Sequence, residues 1–394
     1  MINFDFDNNC SGCGACFNIC PVGAIKMVSN QEGFKVPSVD KNTCIGCKLC
    51  DNVCPHLKCD KSPYSKKDDS WLYSSPNDKA KMKSSSGAAF YELAEKAITN
   101  DWYICGCVWN DELVAEHIVD NTYKSLERMQ GSKYVQSDTK SVYQDILHLL
   151  KKGRTVLFSG TPCQCTAASN YVKAKGGAAL RENLITVAVI CHGVASPIAW
   201  QSFKKWVSEK EHSKIVSVNF RDKSKEGYKK SYCKYTFEDG HSIYQPTYLP
   251  SSKYIEATLV YNLAIRNSCS HCDCKGHNVN IDIILGDWYK EYKNEGQFGT
   301  SCIVAYTEKG EKFLKENLTN LRKIDYSEVL QENRFIEDSE KLGAKRDEFL
   351  KSIKNYKFWS KVERLYPAKY PVKVFLVKTG LYDLIKERND TLTS

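Results

Sequence analysis

Apolar and polar positions divide this 394-residue chain into unequal parts. The first 58 residues contain two short apolar stretches, 23–28 and 33–36, each enough for one strand of a small domain. Residues 59–83 lose the pattern. Lys, Ser, Asp and Pro dominate there around one aromatic patch at 71–73, which reads as a linker with one strand docked on the next domain. From residue 84 the helical period takes over. Residues 90–99 repeat apolar positions at helical spacing behind hydroxyls and Gly87 that suit an N-cap. Two strands, 102–109 and 113–119, flank an Asn110-Asp111 turn; Cys105 and Cys107 share one side of the first and read as core thiols. A helix from Thr122, a polar turn at 131–134 and a helix over 142–152 come next.

The chain then alternates strand and helix. Residues 154–159 form a strand whose turn, Gly160-Thr161-Pro162-Cys163-Gln164, opens a helix. Residues 184–190 form a second strand ending in Cys191-His192-Gly193, and Pro197 starts another helix. Carboxyl ends of parallel strands are where such folds bind ligands, and Cys163 and Cys191 sit at two of them. A meander over 214–220 and the flanks of Asp239-Gly240 precedes a helix over 253–267. Strands at 281–285 and 302–306 and a helix from Lys309 close the domain. The last 50 residues are helical, basic and aromatic, and the apolar-basic alternation of 371–386 suits docking on the core better than lying on a membrane surface. The expected architecture is an α+β ferredoxin-like domain (1–58), a linker (59–83), a mixed α/β domain (84–345) and a helical basic tail (346–394).

Composition narrows the setting. Nineteen cysteines accompany an acidic start, MINFDFDNN, that has neither the basic nor the apolar region of a signal peptide. Apolar runs such as 185–191 are far too short to cross a bilayer. The expectation is a cytoplasmic protein whose thiols are cluster ligands or core residues. The net charge of +9 comes from scattered lysines without a nucleic-acid-binding module, so no nucleic acid is expected. That charge also suits attraction of an acidic electron-transfer partner.

The chemistry lies in two cysteine runs of identical spacing: Cys10, Cys13, Cys16 and Cys20-Pro21, then Cys44, Cys47, Cys50 and Cys54-Pro55. This is the pattern of a two-cluster 4Fe-4S ferredoxin, in which the fourth cysteine of each run serves the other cluster. The first cluster takes Cys10, Cys13, Cys16 and Cys54; the second takes Cys44, Cys47, Cys50 and Cys20. Glycines 12, 14 and 46 permit positive φ and keep side chains off the inorganic sulfides. A zinc site would offer paired C-x2-C ligands in fours instead. Elsewhere, hydroxyls and Gly87 before the 90–99 helix make either a plain cap or an anion pocket.

Six segments then carry a resemblance: SSSGAAFYELAEKA from Ser84, GSKYVQS from Gly131, FSGTPCQ from Phe158, ICHG from Ile190, SC-x2-C-x2-KG from Ser268 and LGDW from Leu285. Together they resemble the beta subunit of coenzyme F420 hydrogenases and dehydrogenases, in the form fused to a two-cluster ferredoxin domain. The match runs in order from Cys10 to the strand of Cys302, and the C-terminal 50 residues carry no named motif. The resemblance implies an FAD-binding iron–sulfur oxidoreductase; relatives reduce coenzyme F420 or, in a plant branch, a chlorophyll derivative. It implies that the α/β domain binds flavin, with Ser85, Ser86 and Gly87 at the FAD phosphates and Lys133 and Thr161 along the cofactor. It also places Cys163, Cys191, Cys269 and Cys272 on recurring cysteine positions, the complement of a third 4Fe-4S cluster. Buried thiols at 163 and 191, or a zinc knuckle from Cys269, Cys272, Cys274 and His277, are the alternatives. Cys165 and Cys274 depart from the family pattern and read as packing substitutions. His192 and Asp287 are the candidate catalytic residues, for proton relay and for contact with flavin or substrate. The expected function is electron passage between ferredoxin-type clusters and FAD, then to a small-molecule acceptor, with ferredoxin or another redox protein as partner. The alternative is a non-catalytic electron-transfer subunit of a partner redox enzyme.

Overall fold

A computed structural model describes residues 5–57, 70–248, 250–290 and 298–379. The N-terminal region is a small α+β unit. Strands β1 (Ile25–Ser29) and β2 (Lys35–Val39) pair antiparallel, and two short helices, Ala15–Ile19 and Leu49–Val53, pack against each other. Each cysteine run ends in one of these helices, whose Ile19 and Val53 are buried in the core they share.

The bulk of the chain is built on an eight-stranded mixed sheet. Its strands are β3 (Ser70–Tyr73), β4 (Tyr103–Trp109), β5 (Ala115–Asp120), β6 (Val156–Gly160), β7 (Leu184–Val189), β11 (Ile283–Trp288), β12 (Thr300–Ala305) and β13 (Arg322–Ile324). They lie in the order β13-β3-β12-β11-β7-β6-β4-β5. The central four, β11-β7-β6-β4, are parallel, and both flanks are antiparallel. Helices cover both faces, so the inner strands read as nearly continuous apolar runs, as in Leu184–Val189. A separate antiparallel sheet, β8 (Ile215–Asp222), β9 (Tyr232–Phe237) and β10 (Ser242–Pro246), is the expected meander.

Within the stretch read as a linker, the strand expected around 71–73 is β3, wholly buried between β12 and β13, and Asn77 caps the helix Asp78–Lys83; residues 58–69 lie outside the described ones. Three other expectations change. The helix expected over 253–267 runs only from Lys253 to Val260, the last turn widened, because Asn262 turns left-handed (φ +53°). Beyond it Ile265 bridges to Ala195 as extended chain. A strand and a helix, β13 and Tyr326–Glu332, are not expected from the sequence because both are short and polar.

The tail divides. Trp359 is buried edge-on against Phe203 (5.0 Å) and donates to Ser202, docking the segment Tyr356–Leu365 on the helix Pro197–Lys210. Of the segment expected to dock at 371–386, residues to 379 are described; just ahead of it Tyr370 meets Tyr366 and Tyr261. In the helix Tyr370–Lys378, Val372 and Phe375 stand 60% and 59% exposed, and residues 380–394 lie outside the described ones. Among the described residues no helix is long and apolar enough to cross a membrane.

Candidate iron–sulfur centres

The N-terminal cysteines gather as two crossed sets. Cys20, Cys44, Cys47 and Cys50 line one cavity together with Ile25, Val39, Leu49 and Ile45. Cys10, Cys13, Cys16 and Cys54 are all buried, 7–9% exposed. Burial pushes the Cys13 thiol far up, and Cys54 and Cys16 add to it; burial acts likewise on Cys16, with Cys10 and Cys54 behind it. A cation bound among these thiols would favour their thiolate form, and iron is such a cation.

The first run is braced from the main body of the protein. The Cys13 carbonyl accepts from Thr139 Oγ1 and Tyr143 OH, both at 2.9 Å. The Cys10 carbonyl accepts from Ser268 Oγ (2.9 Å) and Arg266 Nε (2.5 Å), and the Ser11 carbonyl from Gln136 Nε2 (2.9 Å). Gly12 (φ +67°) is required twice over, since a Cβ would meet both the Gln136 amide and Arg266 Nη1.

A third gathering lies beside it. Cys163, in the first turn of the helix Pro162–Glu182 behind β6, and Cys191, just past β7, meet Cys269 and Cys272 from the turn Asn267–His271 and its end. All four line one cavity, whose empty volume of about 530 Å³ includes the solvent at its mouth. Burial pushes Cys163 up to about 12, with Cys272 and Cys191 adding to it. Burial also raises Cys269, with the other three thiols behind it, and raises Cys191, where Lys275 opposes and Cys272 adds. Every pair among the four is thus close enough to interact, as the corners of a cubane require. Cys272 is lowered by a hydrogen bond from Cys274, with help from Lys275. Gly286 belongs to this packing, because a Cβ there would strike Ile190 beside Cys191.

The cavity wall is shared with the N-terminal unit: Ser11 and His56 line it too, and Cys163 contributes to the raised pKa of Cys13. His56 reaches Asp273 through Nδ1 (2.9 Å). Cys165 is buried core, whereas Cys274, also buried, lines the cavity. His277 does not; it packs on Tyr306, so the zinc-knuckle set does not converge there.

The remaining candidates are dispersed. Lys133 Nζ donates to the carbonyls of Arg128, Met129, Gln130 and Gly131 (2.9–3.1 Å), closing the end of the helix Tyr123–Met129. Burial lowers its pKa to about 8. Ser86 Oγ donates to the Thr300 carbonyl, and a Cβ at Gly87 would strike the backbone of Tyr73 and Ser301. Ser85 pairs with Ser132 (2.8 Å) at a half-buried position. Thr161 lies 3.1 Å from the Cys163 sulfur and lines the cavity. His192 also lines it; its Nε2 meets Asn262 Oδ1 (2.7 Å), Phe335 packs edge-on, and burial lowers its pKa. Asp287 is elsewhere, paired with Arg221 (3.0 Å) and Tyr289 OH (3.2 Å). The structure therefore brings Thr161 and His192 to the third thiol set, and leaves Ser85, Ser86, Gly87, Lys133 and Asp287 away from it.

Sequence reasoning misses Arg266, Gln136, Tyr143 and Lys275, whose Nζ donates to the carbonyls of Cys191 and Phe335. Gln136 stands within the segment GSKYVQS, and Arg266 three residues ahead of Cys269; only their placement shows what they hold.

Residues 9–57 match a 4Fe-4S dicluster domain, and residues 153–328 match the C terminus of the coenzyme F420 hydrogenase/dehydrogenase beta subunit. Comparison with curated proteins gives no match. Among solved structures, the F420-reducing NiFe hydrogenase complex from Methanosarcina barkeri, in a xenon derivative, is similar at 16% identity and a TM-score of 0.46, over 77% of this chain and 92% of that one. Residues 153–328 thus carry the C-terminal region of that beta-subunit family, behind a dicluster domain at residues 9–57.

Proposed function

We propose that this chain is an iron–sulfur oxidoreductase that passes single electrons from ferredoxin or another redox protein through three cysteine-held centres towards FAD and a small-molecule acceptor. The carrying observation is that Cys163, Cys191, Cys269 and Cys272, drawn from three separated stretches of chain, ring a cavity whose wall includes Ser11 and His56 of the dicluster domain. The donor sets fit: four soft thiols each, buried together in the first set and lining one cavity in the second and in the third. Bound 4Fe-4S clusters supply one-electron storage. The protein's part is to fix the thiols, keep water from the inner two sets and hold those sets side by side.

FAD is the finer part of the reading and rests on the resemblance of the segments at Ser84 and Gly131. Three of its expected contacts, Ser86, Gly87 and Lys133, are occupied by protein, which leaves Ser85 with Ser132. Unused donor capacity lies instead at Arg221, whose Nε is buried without a hydrogen-bond partner and whose guanidinium stacks on Tyr228 (4.9 Å). Cation and aromatic together suit an anionic, aromatic cofactor.

The test is iron, sulfide and flavin content after purification without oxygen. About twelve iron atoms per chain are expected, and about eight in Cys163→Ser. Iron unchanged by that substitution removes the third centre. One observation favours a second reading, that of a non-catalytic subunit for electron transfer. Cys47 and Ile45 (65% exposed) present the second set to a protein partner. Centres that reduce fully while no small acceptor turns over would select it.

A further inference from the structure

One buried cation faces the first cysteine set. Arg266 is 1% exposed and stacks on Phe34 at 5.1 Å. Its guanidinium donates from Nε to the Cys10 carbonyl (2.5 Å), from Nη1 to Gln136 Oε1 (3.0 Å) and from Nη2 to the Lys35 carbonyl (3.0 Å). All three acceptors are neutral, so they leave its charge standing. Its backbone is pinned between parts of the third site, with N–H to Val194 and carbonyl from Cys269 N–H.

The second set has different neighbours. Cys47 is open to water, and Lys26, Lys41 and Lys48 nearby are exposed, where solvent and salt screen them. A cluster bound by four thiolates gains negative charge on reduction. Burial penalises that charge and lowers the potential, whereas water or a nearby cation raises it. Two sets of one spacing, one buried and one wet, would therefore differ in potential, with the inner one the harder to reduce.

We propose that Arg266 is a positioning residue that holds up the reduction potential of the centre bound by Cys10, Cys13, Cys16 and Cys54, offsetting its burial so that electrons pass inward from the exposed second centre. The inference rests on the dicluster reading of residues 9–57 and is independent of the third centre. Arg266 also places the Cys10 carbonyl, which explains why arginine is used here: a fixed fork of donors fastens the loop while its charge does not titrate.

The test is an anaerobic redox titration of the iron-loaded protein followed by electron paramagnetic resonance, with the second centre's signal identified through Cys47→Ser. Arg266→Gln should shift the first centre's midpoint to more negative potential, leaving the second centre and the iron content unchanged. Arg266→Lys, which keeps the charge and loses the fork, should recover most of the shift. Gln136→Glu leaves Arg266 in place and sets a carboxylate on Nη1; it should also move the first centre negative. Wild-type potentials in fully loaded Arg266→Gln overturn the proposal, as does Arg266→Lys falling as far as Arg266→Gln. Should Arg266→Gln fail to fold, Gln136→Glu decides, and an unmoved first centre overturns it. Fewer than about eight iron atoms in the unaltered protein would instead sink the dicluster reading itself.

Discussion

A side chain added at Gly12 would run into Gln136 and Arg266; one added at Gly46, the same place in the second cysteine run, would meet nothing within 4 Å. The next matched pair repeats the contrast. Gly14 (φ +78°) lies against Thr139, whereas its counterpart is Lys48, also left-handed (φ +59°) and exposed. Further along, Asn18 is buried and donates to the carbonyls of Gly14 and Lys140 (2.9 and 2.8 Å), while Asn52 is exposed. The backbone of a cluster-binding loop needs left-handed residues at these points in both runs. Whether the residue must be glycine depends on what stands opposite. The main body stands opposite the first run and water opposite the second, so two loops of one local design become one interior site and one surface site.

Exchanging the matched residues is the severest way to break that contrast. Gly14→Lys gives the first run the residue that the second tolerates, and drives a long side chain towards Thr139 Oγ1, only 2.5 Å from where Cβ would sit. The expected cost is about 3 kcal/mol or more, from overpacking plus left-handed strain. Iron should fall by about four atoms per chain, the complement of one cubane. Full iron retention in this variant would mean that the first run is not clamped as described.

A smaller effect is expected where the N-terminal unit is tied to the tail. Arg346 donates through both terminal nitrogens to the carboxylate of Glu32, and through Nε to the Ile265 carbonyl (2.8 Å), one residue before Arg266. Arg346→Ala leaves Glu32 half-buried and unpaired, at a cost of about 2–3 kcal/mol. Glu32→Gln should cost less, because Arg346 keeps Ile265. Denaturant midpoints of the two variants check the order. The loss should fall on the first centre, seen as faster iron release from it than from the second, and equal release from both would refute the asymmetry.

How much of this is legible in the sequence depends on the range of the interactions. The cysteine spacing and the strand–turn–helix units around Cys163 and Cys191 are local, and they are readable because each fits within one stretch of apolar period and one turn. The gathering of Cys163 and Cys191 with Cys269 and Cys272 depends on resemblance, since no local rule links residues about a hundred positions apart. Arg266, Gln136 and Tyr143 are invisible as functional residues because what they hold is a backbone carbonyl 125–256 positions away. Lys133 is the opposite case. A conspicuous lysine in a conspicuous motif suggests a cofactor contact, and in the structure it donates to carbonyls at and just past the end of the preceding helix.

The mildest variant sharpens the comparison most, because it separates backbone strain from packing. Lys48→Gly removes a β-carbon from a left-handed position, which relieves about 1 kcal/mol in the folded state. It also frees the unfolded chain, which takes back about 0.5–1 kcal/mol. The net change should lie within about 1 kcal/mol of zero on denaturant unfolding, with iron content unaltered, because Lys48, though it lines the second-set cavity, is exposed and is not one of its thiols. Set beside Gly14→Lys, this gives the same pair of residues exchanged in opposite directions at equivalent positions. If φ alone governed the choice of residue, the two variants would differ by no more than that strain. If the main body governs it, Gly14→Lys empties the first centre while Lys48→Gly passes almost unnoticed. A large loss of stability in Lys48→Gly would place a hidden contact at the second run, and the surface there could no longer be treated as open.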